Sequence, residues 1–227
     1  MIRWSRLCCR PPVAAPMLRR CFRAADYGSI LQAMRDFTAT RDDTTEDQLW
    51  QVEHTAVFTL GQAGQLQHVL DAGTIPVIRT ERGGQVTFHG PGQAVIYPLI
   101  DLRRRGIFVR ELVNLLEQAM IDTLADFQIA EACRKSGAPG VYVAHGDGLA
   151  KIGAVGLKVS RGRCMHGIAL NVDMDLQPFG RINPCGMAGL QAIDMATMGA
   201  KADWQSVADV LCSRIEKTLP QILVMPS

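Results

Sequence analysis

The chain has 227 residues, of which 48% are hydrophobic and 20% charged, with 21 glycines and 11 prolines. These values exclude a fibrous or low-complexity chain and leave ample material for a buried core. No run of about eighteen apolar residues occurs, which argues against a membrane-spanning helix. The net charge of +2 hides an asymmetry: residues 1–25 hold six arginines and no acid, and the rest carry 18 basic against 22 acidic side chains. A mildly acidic body argues against a nucleic-acid footprint spread over the fold.

The seven cysteines (Cys8, Cys9, Cys21, Cys133, Cys164, Cys185 and Cys212) are irregularly spaced, and none forms a C-x-x-C pair. That pattern matches neither a disulfide framework nor a zinc signature, and it points to a reducing compartment, the cytoplasm. Residues 1–25 read as a basic, flexible extension outside the fold, although an arginine-rich, acid-poor start is also the composition of a transit peptide. The apolar stretch Pro11–Leu18 carries three prolines and is too short for a secretory signal. Residues 26–222 then read as a single domain.

In chain order, Ile30, Leu31, Met34 and Phe37 recur at helical spacing within residues 28–40. Thr55–Leu60 and Pro76–Thr80 read as short strands. A dense glycine segment with Gly83, Gly84, Gly90 and Gly92 precedes Gln93–Ile100, an apolar, β-prone run suited to a buried strand. Val109–Phe127 carries an apolar stripe of Val109, Leu112, Leu115, Leu116, Met120, Leu124 and Phe127, so it is expected to be a core-facing helix. Val141–Ala144 reads as a strand ending in a His145–Gly148 turn. Leu149–Ser160 and Cys164–Asp173 form a hairpin around Arg161–Gly162–Arg163. Asp175–Leu190 is irregular. Asp203 caps a last helix with Val207, Val210, Leu211, Ile215 and Leu219 inward, stopped by Pro220. Clustered strands with interposed helices predict an α+β fold, a mostly antiparallel or mixed sheet with helices packed on one face.

Three segments are glycine-rich and break core periodicity: Arg82–Gln93 (RGGQVTFHGPGQ), Lys151–Gly156 (KIGAVG) running on to Gly167–Ala169, and Arg181–Gly186 (RINPCG). Nucleotide loops of the G-x-x-x-x-G-K-[ST] and G-x-G-x-x-G types are missing, so a groove for an extended apolar ligand fits better than a phosphate site. Cys185, between Pro184 and Gly186, is either a displayed nucleophile or an inert thiol. Lys151 lies in an apolar strand and is either a proton-shuttling partner for a thiol or a lysine snorkelling from a strand edge. Lys158, beside Arg161 and Arg163, reads as part of a solvated face. His89 and His166 each precede glycine and are candidates for a general base or a site wall. A Cys164/His166/His89 metal site lacks a recognisable ligand spacing, so no metal is expected.

At these segments the chain resembles the octanoyltransferase family, also called lipoate-protein ligase B. RGGQVTFHGPGQ is similar to its first signature, AKIGAVGLKVSRG followed by MHGIALNVDMDLQPF to its second, and RINPCG to its third. The likeness runs from about Asp26 to about Leu190. It implies a fold like the catalytic domain of lipoate and biotin protein ligases. It also implies transfer of an octanoyl group from octanoyl-acyl carrier protein to a lysine of lipoyl domains or of the glycine-cleavage H protein, without a cofactor. The family's acyl-thioester cysteine falls on Cys185 and its proton-shuttling lysine on Lys151. Its acyl-pocket segments fall on Arg82, Gly83, Gly84, Gln85, Val86, Thr87, Phe88 and His89, on Ala154, Val155 and Gly156, and on Gly167, Ile168 and Ala169. Arg103–Arg105 and Lys158–Arg163 are candidate docking patches for an acidic carrier protein. The alternatives are an ATP-dependent ligase of the lipoate or biotin type, and a module that only binds carrier or lipoyl domains.

Overall fold

A computed structural model describes residues 17–220. Helix α1 (Tyr27–Thr40) starts where the Asp26 carboxylate accepts the Ser29 backbone N–H at 2.8 Å, satisfying one of the free donors of the first turn. Strands β2 (Gln48–His54), β3 (Val57–Leu60), β4 (Val77–Arg79), β5 (Val86–His89) and β6 (Gln93–Leu99) follow. A short helix α2 (Leu102–Arg105) and the long α3 (Val109–Asp126) come next, then β7 (Cys133–Lys135), β8 (Ala138–His145), β9 (Gly148–Ser160) and β10 (Arg163–Asn171). After irregular 3₁₀ turns, α4 (Trp204–Thr218) is capped by Asp203, which accepts the Ser206 N–H at 3.0 Å.

One strand lies where an extension was expected. Leu18–Ala25 forms β1, which pairs parallel with β2 at the edge of the main sheet. Its arginines hid it, because they read as a basic tail. In the fold Arg19 bridges Glu216 of α4 at 2.7 Å, Arg23 bridges Glu53 of β2 at 2.8 Å, and Arg20 stacks over Trp50. The folded unit therefore begins before residue 26, while the rest of the expected extension, residues 1–16, lies outside the described residues.

The main sheet has the order β1-β2-β6-β10-β9-β8-β7 and is antiparallel apart from the β1–β2 pair. A small sheet, β4-β3-β5, stands beside it. Alternation along β6 divides two cores. Ala94 and Ile96 pack with α3 and α4, including Leu112, Leu116, Met120 and Leu211. Val95, Tyr97 and Leu99 pack with Tyr27, Ile30 and Met34 of α1 on the other face. Helices thus cover both faces rather than the single face expected, because strands this apolar on both sides need two layers. The β9–β10 hairpin turns at Arg161 and Gly162, with φ of +52° and +78°, the two positive-φ positions that a type I′ turn requires. A third cluster of Phe58, Leu60, Val86, Phe88, Phe179 and Ile182 joins the small sheet to the segment that leads to Cys185.

Candidate active site

Lys151 sits on β9 where a β-bulge breaks its pairing with β8: Val141 faces Gly153, but Tyr142 faces Lys151. The bulge leaves the Lys151 backbone free to pair elsewhere. Its N–H donates to the Gln191 carbonyl at 2.8 Å, and its carbonyl accepts the Ile193 N–H at 3.0 Å. These bonds anchor the segment that follows Cys185. On the other side, the Asn183 N–H donates to the His68 carbonyl at 2.8 Å. Pro184 enters the turn, and Cys185 takes a left-handed conformation with φ 57° and ψ 17°. Such a conformation costs a residue with a Cβ about 1 kcal/mol or more. Cys185 is exposed at this turn.

The two side chains meet. Lys151 Nζ is 3.1 Å from Cys185 Sγ and donates to the Pro139 carbonyl at 2.8 Å. The ammonium also faces the ring of Tyr142, 5.3 Å from its centroid. Gly140, with φ +130°, leaves the space that the lysine occupies; a Cβ there would stand 2.7 Å from Lys151 Cε. The Gly140 N–H is itself held at 2.8 Å by Glu117, a buried carboxylate of α3 that also accepts Arg134 Nε. Gly140 opens the GVYV stretch that belongs to the family likeness, whereas Glu117 was not singled out; its only trace in the sequence is an acid on the core stripe of a helix.

Cys185 and Lys151 open on a cavity of about 420 Å³, within the range of small-molecule sites. The three sequence segments converge on it: Arg82 to Thr87 and His89 from the first, Ala154 to Gly156 from β9, and Gly167 to Ala169 from β10. Phe88 is the exception. Strand alternation turns it away from Thr87 and His89, and it packs edge-on to Phe179, one layer behind the wall. Tyr27, Tyr97, Gln93 and Asn171 also line the cavity; Gln93 closes the first glycine-rich segment and Asn171 lies in the second signature, whereas no motif marks Tyr27 and Tyr97.

Burial disfavours the protonated form of both candidate histidines, His89 and His166. Burial holds His89 down at about 3, and its Nδ1 is 2.7 Å from Gln93 Oε1. Burial likewise lowers His166 to about 4, against the opposing pull of Glu81. Both are wall residues rather than bases poised near neutral pH. Among the described residues no group of three or more His, Cys, Asp or Glu side chains is placed to hold a metal ion, and no helix is long and apolar enough to cross a membrane.

The arginine run expected to dock a partner is largely consumed by the fold. Asp47, 1% exposed, accepts Arg104 and Arg105 at 2.7 and 2.8 Å as well as Arg41 at 2.6 Å. Arg103 bridges Asp101 at 2.8 Å. Lys158 and Arg163 are partly buried, and Arg163 lies 3.7 Å from Asp101.

A sheet with helices on both faces thus carries a cysteine displayed beside a lysine, with a cavity behind them. Residues 26–216 match the lipoyl protein ligase A/B catalytic domain, and the chain belongs to that family. Within it the chain is an acyltransferase: an octanoyltransferase of Bordetella petrii is 54% identical over 207 residues, covering 90% of this chain and 97% of the relative. The fold is shared more widely. A bi-partite lipoate protein ligase from Thermoplasma acidophilum superposes with a TM-score of 0.68 at 13% identity, covering 89% of this chain and 84% of that one. The biotin protein ligase of Aquifex aeolicus superposes with a TM-score of 0.52 at 11% identity, covering 89% and 68%.

Proposed function

We propose that this enzyme moves an octanoyl group from octanoyl-acyl carrier protein onto a lysine of lipoyl domains, and of the glycine-cleavage H protein, through a thioester on Cys185. The single observation that carries the reading is the 3.1 Å contact between Lys151 Nζ and Cys185 Sγ at the mouth of the cavity. In the first half-reaction the ammonium of Lys151 stabilises the Cys185 thiolate. The thiolate adds to the carbonyl carbon of the donor thioester, the carrier sulfur leaves, and it takes the Lys151 proton. In the second, the amine of the acceptor lysine adds to the Cys185 thioester and gives its proton to the now neutral Lys151 as the cysteine sulfur leaves.

The cavity takes the alkyl chain. Ala154, Val155, Ile168 and Ala169 offer apolar surface, and each methylene buried there contributes about 0.8 kcal/mol. Glycines 83, 84, 156 and 167 keep the walls close to the backbone, which suits an unbranched chain.

Intact-mass measurement tests the reading. The protein is mixed with octanoyl-acyl carrier protein without ATP, and then with a lipoyl domain. An octanoyl adduct is expected, absent in Cys185→Ala, that moves to the lipoyl domain. Acylation that requires free octanoate and ATP would instead establish a ligase.

A further inference from the structure

Arg82 is 7% exposed and stands in the wall of the cavity. Its guanidinium donates to neutral oxygens alone: Thr59 Oγ1 and carbonyl, the Gly83 carbonyl and the Gln85 carbonyl, at 2.6 to 3.1 Å. Among the described residues no carboxylate forms a salt bridge with it, although twelve arginine–carboxylate pairs occur elsewhere. A buried charge that is hydrogen-bonded but not neutralised is costly to keep in a fold. Asp47, by contrast, gathers three arginines around one carboxylate.

The bonding is also incomplete on one side. Nη2 is fully engaged, whereas Nη1 makes a single bond, to the Gly83 carbonyl, and keeps one N–H over. That nitrogen is ringed by three glycines. A Cβ on Gly61, Gly84 or Gly156 would lie 2.9, 3.5 or 3.6 Å from it. Gly84 and Gly156 line the cavity, so the missing side chains leave a path from the cavity to Nη1. The cysteine turn abuts the same segment: a Cβ on Gly186 would stand 3.6 Å from the Gln85 side chain.

We propose that Arg82 meets negative charge in this cavity, its unshared Nη1 N–H binding the carbonyl oxygen of the acyl thioester as that oxygen becomes an oxyanion. The inference rests on the thioester reading above. In each half-reaction the nucleophile adds to the carbonyl carbon and the C=O π pair moves onto oxygen. The pair returns when sulfur leaves, the carrier sulfur first and Cys185 second. Lys151 changes protonation state during this cycle, and Arg82 does not. A fixed charge already bonded into the wall needs no reorganisation when the oxyanion forms.

Free octanoate, a stable anion with the right chain, tests this against octanamide, its neutral counterpart. Both are titrated calorimetrically into Cys185→Ser protein at pH 7. A preference for octanoate is expected that shrinks at least tenfold in Arg82→Gln, the scale of a lost hydrogen bond to a charged group, and is kept in part by Arg82→Lys. A merely structural arginine would weaken both ligands alike, and an undiminished preference in Arg82→Gln would overturn the proposal. If Arg82→Gln does not fold, Gly156→Ala narrows the path and leaves the charge in place. Its Cβ would meet Arg82 Cδ and the Gly83 carbonyl at 3.2 Å. A selective loss of octanoate binding supports the proposal, and unchanged binding refutes it. Failure of the thioester reading shows separately, as wild-type protein that keeps its anion preference but takes no octanoyl adduct on Cys185.

Discussion

Replacing Lys151 with alanine removes a positive charge 3.1 Å from the Cys185 sulfur. Coulomb's law sets the scale: roughly 1.3 kcal/mol at the dielectric of water and roughly 5 kcal/mol at an effective dielectric of 20. Cys185 is exposed while Lys151 is 8% exposed, so the pair sits between these limits and nearer the wet one. A loss of about 1.5–3 kcal/mol is expected, the range of hydrogen bonds to charged groups. Iodoacetamide alkylation of Cys185 at pH 7 should therefore slow by roughly 10- to 100-fold. Melting in parallel checks that the fold survives, since the variant also loses the bond to Pro139 and the contact with Tyr142. Alkylation that is unchanged in a folded Lys151→Ala protein would refute the reasoning and leave the lysine a structural role.

Deleting residues 1–25 strips β1 from its pairing with β2 and breaks the Arg19–Glu216 and Arg23–Glu53 bridges, so the melting temperature should fall by several degrees; an unchanged melt would show that the strand contributes nothing. Gly167→Ala should cost about 1–3 kcal/mol in urea unfolding, because its Cβ would collide with the Ile96 carbonyl and stand 2.7 Å from Pro98 Cδ; a wild-type midpoint would mean that β6 and β10 can part freely. Acid should destabilise the protein early. His54, His89 and His166 are held by burial at about 4, 3 and 4, so the unfolded chain binds protons below about pH 6.5 while the folded one does not. Stability then falls as pH drops from 6.5 towards 4, by up to about 1.4 kcal/mol per pH unit for each histidine; a thermal midpoint that stays flat over that window contradicts this.

Much of this protein was legible in one dimension. Period located α1 and α3, and period together with the Asp203 N-cap located α4, because an apolar stripe and an Asp N-cap are local signals. Cys185, Lys151 and the three glycine-rich segments stood out because they break the core pattern, and the fold brings all three segments to one cavity. Other elements carry no local signal. β2 is buried along nearly its whole length, Gln48 and Gln51 included, so no alternation marks it. The arginines of β1 and α2 resemble solvated runs until their partners Glu216, Glu53 and Asp47 arrive from other parts of the chain. Residue chemistry and spacing were thus enough to single out Cys185 and Lys151 as candidates. Only the tertiary structure decided their relation: a bulge at Ile152 sets Lys151 beside a strained cysteine turn 34 residues away, Phe88 turns from the wall, and Arg82 is buried with no carboxylate partner among the described residues. Each of these depends on which backbone group meets which across the sheet, and a local pattern does not encode that.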